Sequence, residues 1–271
     1  IDFYPIPGQN WKNVHISNNN SIIKIPKILY NSQAEAYHIY DHNYIDTAAY
    51  DSILWLEGPN FLKCYHDFIF APKQPKEWKK NPNTWLSNYD ILEVLKQYES
   101  TYKKFKFIGP TPIDFESRPY NNNNCVWEEL CNFTISNMKK QKKNKIGIIF
   151  NLDKHDEPGS HWVSMFINLT DRFIYYMDSA LNTIPNEINE FIEKVQSQST
   201  PGKRFKFYTN TVEHQMGNNE CGMYSLFFII TMLTGKVGNK NLDTTQKKIN
   251  FFNKRIPDKY VFNYRNIYFN S

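Results

Sequence analysis

The amino-acid sequence predicts an α+β fold, and three observations carry the prediction. Residues 223–233 are an apolar run, with Leu226, Phe227, Phe228, Ile229, Ile230 and Leu233, that reads as a helix apolar on nearly all sides and so buried at the centre of a domain. Residues 145–152 are a near-continuous β-branched run, as expected of a buried strand. Residues 161–168 and 172–178 are two further β-like segments around the turn Leu169-Thr170-Asp171, a hairpin signature. A chain of 271 residues with 41% hydrophobic and 16% aromatic side chains can fill such a core, which excludes disorder of the whole chain.

The remaining elements follow in order. Residues 1–80 read as an N-terminal accessory region, with polar turns around short β-like runs at 21–25 and 64–70. Residues 71–82 carry Pro72, Pro75 and Pro82 among lysines, a composition that suits a connecting segment, so a second region is expected over 81–271. Residues 85–91 lead into a helix ending near Tyr98, in which Ile91, Leu92, Leu95 and Tyr98 share a face and Ser87 or Asn88 can cap the start. Residues 105–108 read as a short strand that stops at the turn Gly109-Pro110-Thr111-Pro112, and residues 127–138 as a second helix. Further on, 185–195 places Ile188, Phe191, Ile192 and Val195 at helical spacing, and 204–209 reads as a strand. No internal repeat is present.

The formal charge of +5 is mildly basic and reads as a lysine-rich solvated surface. The run Lys139-Lys140-Gln141-Lys142-Lys143 is read in the same way, as a solvated loop, so a nucleic-acid partner is not indicated. Cys64, Cys125, Cys131 and Cys221 show neither dense even spacing nor a CxxC pair, which argues against a disulfide framework or a closed zinc site and for a reducing compartment. No apolar run reaches the length of about 18 residues that spans a bilayer, and the start lacks a basic region followed by an apolar one. A soluble intracellular protein is therefore expected, and Ile1 in place of Met reads as a processed or trimmed chain.

Isolated cysteines are most often buried fillers, and Cys64, Cys125 and Cys131 are read so. Cys221 differs in its surroundings. It heads the apolar run after the polar, turn-rich loop Gln215-Met216-Gly217-Asn218-Asn219-Glu220, an arrangement expected to expose the sulfur at a loop-to-helix junction. A thiol must ionise to attack a carbonyl, and a helix start together with a nearby imidazole favours the thiolate. His161 follows a Gly-containing loop and Asp178 ends the next strand of the hairpin, so an antiparallel pair returns both to the same end of the sheet. There the carboxylate can orient the imidazole and stabilise its charged form. Gln215, in the loop before Cys221, can join the Cys221 backbone N–H in facing an oxyanion, a donor whose loss costs about 3 kcal/mol of barrier stabilisation.

The order His161-Trp162, Asp178-Ser179, Gln215, Cys221-Gly222 resembles that of the adenain and SUMO-deconjugating (Ulp-type) cysteine proteases of clan CE, over residues 84–235. Trp85-Leu86-Ser87-Asn88 resembles the family's Trp-Leu-Asn-Asp segment. The resemblance implies a papain-like fold, in which a central nucleophile-bearing helix packs on a small mixed sheet carrying His161 and Asp178. It implies catalysis by His161, Asp178, Gln215 and Cys221 with no metal or organic cofactor. Trp85 and Trp162 would enclose a substrate's Gly-Gly tail in a channel too narrow for larger residues. Glu220 departs from the Asp of many SUMO proteases, Ser87 replaces an Asn, and the resemblance does not extend to residues 1–80.

The stretches Glu220-Cys221-Gly222-Met223-Tyr224-Ser225-Leu226-Phe227 and Lys254-Arg255-Ile256-Pro257-Asp258-Lys259-Tyr260 look most like the proteases of large cytoplasmic DNA viruses such as African swine fever virus. Heavy use of Asn, Lys, Ile and Tyr, the residues of AT-rich codons, fits such a genome. The resemblance implies an endopeptidase that cuts viral structural polyproteins at Gly-Gly-X sites during virion maturation, in the host cytoplasm or virion. The alternatives are a SUMO or ubiquitin-like deconjugating protease, including a bacterial effector, an acetyltransferase on the same fold, and a non-catalytic protein-binding module.

Overall fold

Alternation of side chains across strands organises the larger part of the described chain around a five-stranded sheet. In the computed structural model, which describes residues 2–4, 11–16, 21–26, 71–119, 124–200 and 202–270, the chain divides into two compact units, residues 1–71 with 270 and residues 72–269 with 271. The first unit contains β1 (Asp2–Tyr4), β2 (Trp11–Ile16) and β3 (Ser21–Pro26), an antiparallel meander in which Val14 pairs with Phe3 on one side and Ile23 on the other. The run expected at 64–70, and Cys64 within it, lie outside the described residues.

The second unit is α+β. After a 3-10 turn at Lys76–Lys79, its elements in chain order are α1 (Asn88–Thr101), β4 (Phe105–Pro112), α2 (Glu128–Cys131), α3 (Ile135–Lys140), β5 (Lys145–Asn151), β6 (Trp162–Asn168) and β7 (Phe173–Met177). Then come α4 (Asn186–Ser197), β8 (Lys206–Thr209), α5 (Cys221–Thr234), β9 (Lys236–Val237), β10 (Lys240–Asn241), α6 (Thr245–Phe252), α7 (Asp258–Phe262) and α8 (Arg265–Tyr268). Strands β4 to β8 form a five-stranded sheet in sequence order, parallel at its two outer pairs and antiparallel between.

Successive side chains on these strands point to opposite faces, and both faces are covered. Phe105, Phe107, Ile149, Trp162, Phe166, Phe173, Tyr175 and Met177 pack on the side of α5, with Ile91, Val94 and Leu95 of α1. Ile146, Ile148, Phe150, Val163, Met165, Ile167, Ile174 and Tyr176 pack on the other side, with Ile188, Phe191, Ile192 and Val195 of α4. Double coverage is why β5 and β6 read as continuous apolar runs. Every residue of α5 except Thr234 is buried. Gly147 lies where α5 meets the sheet: a Cβ there would stand 2.8 Å from Ile229 Cγ2 and 3.0 Å from the Phe105 ring, so the approach requires a bare position. At the far end of α5, Lys248 Nζ donates to Met232 O (2.6 Å) and Lys145 Nζ to Leu233 O (3.4 Å), cations suited to a helix carboxyl end.

Ser87 caps α1 in a capping box: its hydroxyl accepts from the Asp90 N–H (3.3 Å) and the Asp90 carboxylate accepts from the Ser87 N–H (2.8 Å). Other segments depart from expectation. Strand β4 continues through the Gly109-Pro110-Thr111-Pro112 stretch expected as a turn, with a register irregularity between Ile108 and Thr111. Gly109, at φ +114°, absorbs the irregularity in a conformation that other residues rarely adopt. The single helix expected over 127–138 is two, because α2 closes at Asn132 and Thr134 starts α3 by accepting the Asn137 N–H. The 204–209 strand begins at Lys206.

The proline-lysine segment 71–82, expected as a connector, delivers Trp78 to the core, edge-on to Phe269 with ring centroids 5.0 Å apart. Cys125 and Cys131, expected as separate thiols, form a disulfide with Cα atoms 6.3 Å apart. The turn into α2 brings the second cysteine back beside the first, a pairing that no CxxC spacing announces. Lys139, Lys140 and Lys142 are exposed, whereas Lys143 Nζ donates to Phe105 O at 2.9 Å. Among the described residues no helix is long and apolar enough to cross a membrane.

Candidate active site

The ladder between β6 and β7 decides where His161 and Asp178 fall. It pairs Asn168 with Phe173 and ends at Ser164 with Met177, so the residue before β6 and the residue after β7 share the open end of the hairpin. His161 precedes the strand by one residue, and its carbonyl accepts the Leu152 N–H at 2.9 Å. Two side chains fold the loop ahead of it. Asn151 Oδ1 accepts from the N–H groups of Asp153 (3.0 Å) and Ser160 (3.2 Å), and the Asp153 carboxylate accepts from the Gly159 N–H (3.0 Å) and the Ser160 hydroxyl.

His161 Nε2 lies 2.6 Å from Asp178 Oδ1. The carboxylate is buried and also accepts the N–H groups of Ala180 (2.9 Å) and Asn182 (3.0 Å). Burial alone would push the Asp178 carboxyl up. The His161 ring and the two amides outweigh it and hold the group below the usual carboxylate range. For His161, burial opposes the charged form, but hydrogen bonds to Asp178 and Cys221, together with their charges, raise the imidazole to about 9. The site therefore favours the charged ring, with Asp178 on Nε2 and Cys221 as its second partner.

Cys221 is the first residue of α5, and among the described residues it is a free cysteine. The junction is not open, as the sequence led us to expect: Cys221 is 2% exposed. Leu86 and Trp162 close over the helix start, where a Cβ on Gly222 would stand 3.2 Å from Leu86 Cβ and 3.3 Å from Trp162 Cδ1. Glu220 at the N-cap makes no side-chain capping bond, so it leaves the amides of the first turn to other acceptors.

Gln215 is buried in the loop ahead of Cys221, its amide oriented by two bonds. Oε1 accepts the Ser179 hydroxyl (2.8 Å) and Nε2 donates to Gly217 O (2.6 Å), which leaves Nε2 a second hydrogen. Ser179 O in turn accepts the N–H groups of His214 and Gln215, both at 2.9 Å. Trp85 is 43% exposed and donates its indole N–H to Asn219 Oδ1 (3.2 Å), while Trp162 is buried and donates to Leu86 O (3.2 Å).

Two residues the sequence did not single out as site residues support this arrangement. Asn210 holds Asp178 by its backbone, accepting its N–H (3.1 Å) and donating to its carbonyl (2.7 Å). Asp258 accepts the N–H groups of Met216 (3.1 Å) and Gly217 (2.9 Å) and the hydroxyl of Tyr224 (2.9 Å), joining the Gln215 loop to α5. Asp258 lay in the stretch that looked viral, but nothing local marked the role it plays, because its loop partners Met216 and Gly217 lie 42 and 41 residues away. Among the described residues no group of three or more His, Cys, Asp and Glu is arranged to hold a metal ion.

Sulfur, imidazole and carboxylate in a row are the parts that acyl transfer through a thioester requires. Residues 55–261 match the Ulp1 protease family, C-terminal catalytic domain, and the chain belongs to that family. R355 of Acanthamoeba polyphaga mimivirus, whose name assigns it to the thiol proteases, is 32% identical over 177 residues, 63% of this chain and 54% of that protein. The match thus spans about half the length of that relative. Cysteine protease S273R of African swine fever virus (isolate Tick/Malawi/Lil 20-1/1983) is 29% identical over 196 residues, 69% of this chain and 68% of its own. The crystal structure of the African swine fever virus pS273R protease shares the fold, with a TM-score of 0.57 at 22% identity over 98% of this chain and 97% of that one.

Proposed function

We propose that this chain is a cysteine endopeptidase that cuts protein substrates after Gly-Gly-type sites. Residues 81–271 form its protease domain and residues 1–80 an accessory region. Cys221 is the nucleophile, His161 the acid and base, Asp178 its orienting carboxylate and Gln215 the oxyanion donor. One observation carries the reading: the imidazole of His161 is held 2.6 Å from Asp178 Oδ1, and Cys221 is the other group that acts on the ring.

In the first half-reaction the Cys221 thiolate attacks the scissile carbonyl carbon and a C–S bond forms. As the C–N bond breaks, His161 gives its proton to the leaving amine. In the second, water passes a proton to His161, its oxygen adds to the thioester carbon, and the C–S bond breaks to release the acid and restore the thiolate. The developing oxyanion is met by the Cys221 N–H and the second amide hydrogen of Gln215. Trp162 against Gly222 and Trp85 held by Asn219 serve as the two walls of the substrate channel, and main chain without a Cβ passes between them most readily. The setting we propose is virion maturation, with structural polyproteins as substrates, in the host cytoplasm or virion; what supports it is that the protease relatives are viral.

A second reading, removal of a ubiquitin-like protein, draws on the name of relatives such as the African swine fever virus protein of isolate Pig/Kenya/KEN-50/1950, SUMO-1 cysteine protease. The chain is to be incubated with Gly-Gly-X peptides, and with SUMO and ubiquitin carrying a C-terminal electrophile. Peptide turnover that disappears in Cys221→Ala is the expected result. Labelling of Cys221 by SUMO or ubiquitin without peptide turnover would replace the first reading by the second. No reaction with either, together with a Cys221 that resists alkylation at neutral pH, would overturn both.

A further inference from the structure

We infer that Arg265 is a positioning residue that sets the gap between Trp85 and the start of the nucleophile helix, and through that gap the selectivity for glycine. The inference rests on the diglycine-channel reading above and names the part of the fold that holds the channel to width.

Arg265 is 4% exposed, and its guanidinium faces two segments at once. As a fork it meets Glu220, Nη2 to Oε1 at 2.8 Å and Nε to Oε2 at 3.3 Å. Nη1 donates to the carbonyls of Pro82 and, at 3.4 Å, Thr84. Glu220 directly precedes Cys221, and Thr84 directly precedes Trp85. One planar cation thus ties the residue before the nucleophile to the residue before the channel wall. Its own place is fixed by aromatic rings: the guanidinium carbon lies 4.2 Å from the centroid of Trp78 and 4.9 Å from that of Phe262.

Side chains set this spacing. Among the described residues no main-chain hydrogen bond joins 82–86 to 217–222. What joins them besides Arg265 is the Trp85 indole on Asn219 and the contact of Leu86 with Gly222. A buried ion pair adds little net stability over apolar side chains of the same volume, so holding the fold together is a weak account of this one. Geometry is what a guanidinium supplies and an ammonium does not: five donors in one rigid plane, able to serve a carboxylate on one side and carbonyls on the other.

The test measures kcat/KM of the full chain and of Arg265→Lys and Glu220→Gln on paired peptides, Gly-Gly-X against Gly-Ala-X. The wild type is expected to prefer Gly-Gly by about tenfold or more, the discrimination that a methyl-sized misfit gives. In the variants that preference is expected to fall by about threefold or more, because a looser gap admits the methyl. A preference that holds within about threefold in a folded variant overturns the inference, since a merely structural residue would lower thermal stability and both rates together. Glu220→Gln keeps the shape of the carboxylate and both carbonyl contacts of Arg265, and carries the test if Arg265→Lys does not fold. Failure of both to fold would make the pair a stability element and also overturn the inference. A wild type that cleaves no diglycine peptide sinks the functional reading itself, whereas an unchanged preference in the variants sinks only the role of Arg265.

Discussion

The two halves of the site are held in different ways. His161 and Asp178 stand at the end of a strand ladder whose register runs from Asn168 with Phe173 to Ser164 with Met177 and whose two faces are both buried. Gln215 and the approach to Cys221 belong to a loop pinned by single side chains: Ser179 on Gln215, Asp258 on Met216 and Gly217, Arg265 on Glu220. A ladder does not shift by degrees, because a slip of one residue exchanges its faces. A pinned loop can lose one pin and keep the rest. Changes under the hairpin should therefore act on folding, and changes at the pins on rate.

The largest effects test whether the halves meet at all. Cys221→Ala and His161→Ala should each lower peptide hydrolysis by about four orders of magnitude while leaving the fold intact, because residues acting as one unit fail together. Activity surviving in either, with a circular dichroism spectrum like the wild type's, would show that the wrong pair has been joined. Their coupling also has a pH signature. The His161 imidazole is raised to about 9, above its ordinary value of 6.5, so folding favours the protonated ring. Its contribution to stability is complete below about pH 6.5 and is lost as pH rises through about 9. Thermal unfolding should show that loss in the wild type and a flatter profile in His161→Gln; identical profiles would remove the ion pair from the account.

Asp178→Asn should be milder, because an amide still orients the ring while the charge is gone. A fall of about 10- to 100-fold in kcat/KM is expected, short of the loss of the imidazole itself. The alkaline step in thermal stability should move down toward pH 6.5, since the carboxylate is a principal cause of the raised imidazole. A step that stays where it was would assign the shift to Cys221 instead.

The same contrast explains what the sequence disclosed. The β-like segments 161–168 and 172–178 and the turn at Leu169-Thr170-Asp171 between them are local patterns, so the hairpin and its end residues were legible. So was α5, because a run from Met223 to Leu233 with no polar face has one place to go. The pins were not legible. Asn210 reaches Asp178 across 32 residues, and Arg265 reaches Glu220 across 45 and Pro82 across 183, separations over which no periodicity operates. The strand through Gly109 was missed for another reason: Gly-Pro signals a turn wherever it stands alone, and only the neighbouring β5 carries this stretch on as a strand. Trp78 was hidden by the prolines and lysines around it.

Asp258→Asn removes a pin and leaves the ladder untouched. The amide oxygen can still accept the Met216 and Gly217 N–H groups, which share Oδ2, but the amide nitrogen in place of Oδ1 no longer accepts the Tyr224 hydroxyl, and the charge that holds the loop is gone. We expect kcat to fall about tenfold, a fraction of the cost of removing an oxyanion donor outright, with KM nearly unchanged. A rise in KM at constant kcat would mean that the loop binds substrate and does not position Gln215.

Gly147→Ala is the opposite substitution, under the sheet and away from the chemistry. The added methyl meets Ile229 Cγ2 at 2.8 Å and the edge of Phe105 at 3.0 Å, so α5 or the ring must give way in a packed core. Overpacking of this kind costs about 1–3 kcal/mol, to be read as a lower thermal midpoint. At temperatures where the variant is fully folded, kcat/KM should stay within about twofold of the wild type, because the ladder either carries His161 and Asp178 to their place or does not form. A folded Gly147→Ala with a large loss of rate would break the contrast: it would mean that α5 slides on the sheet and takes Cys221 with it, so that the nucleophile depends on core packing as much as on its pins.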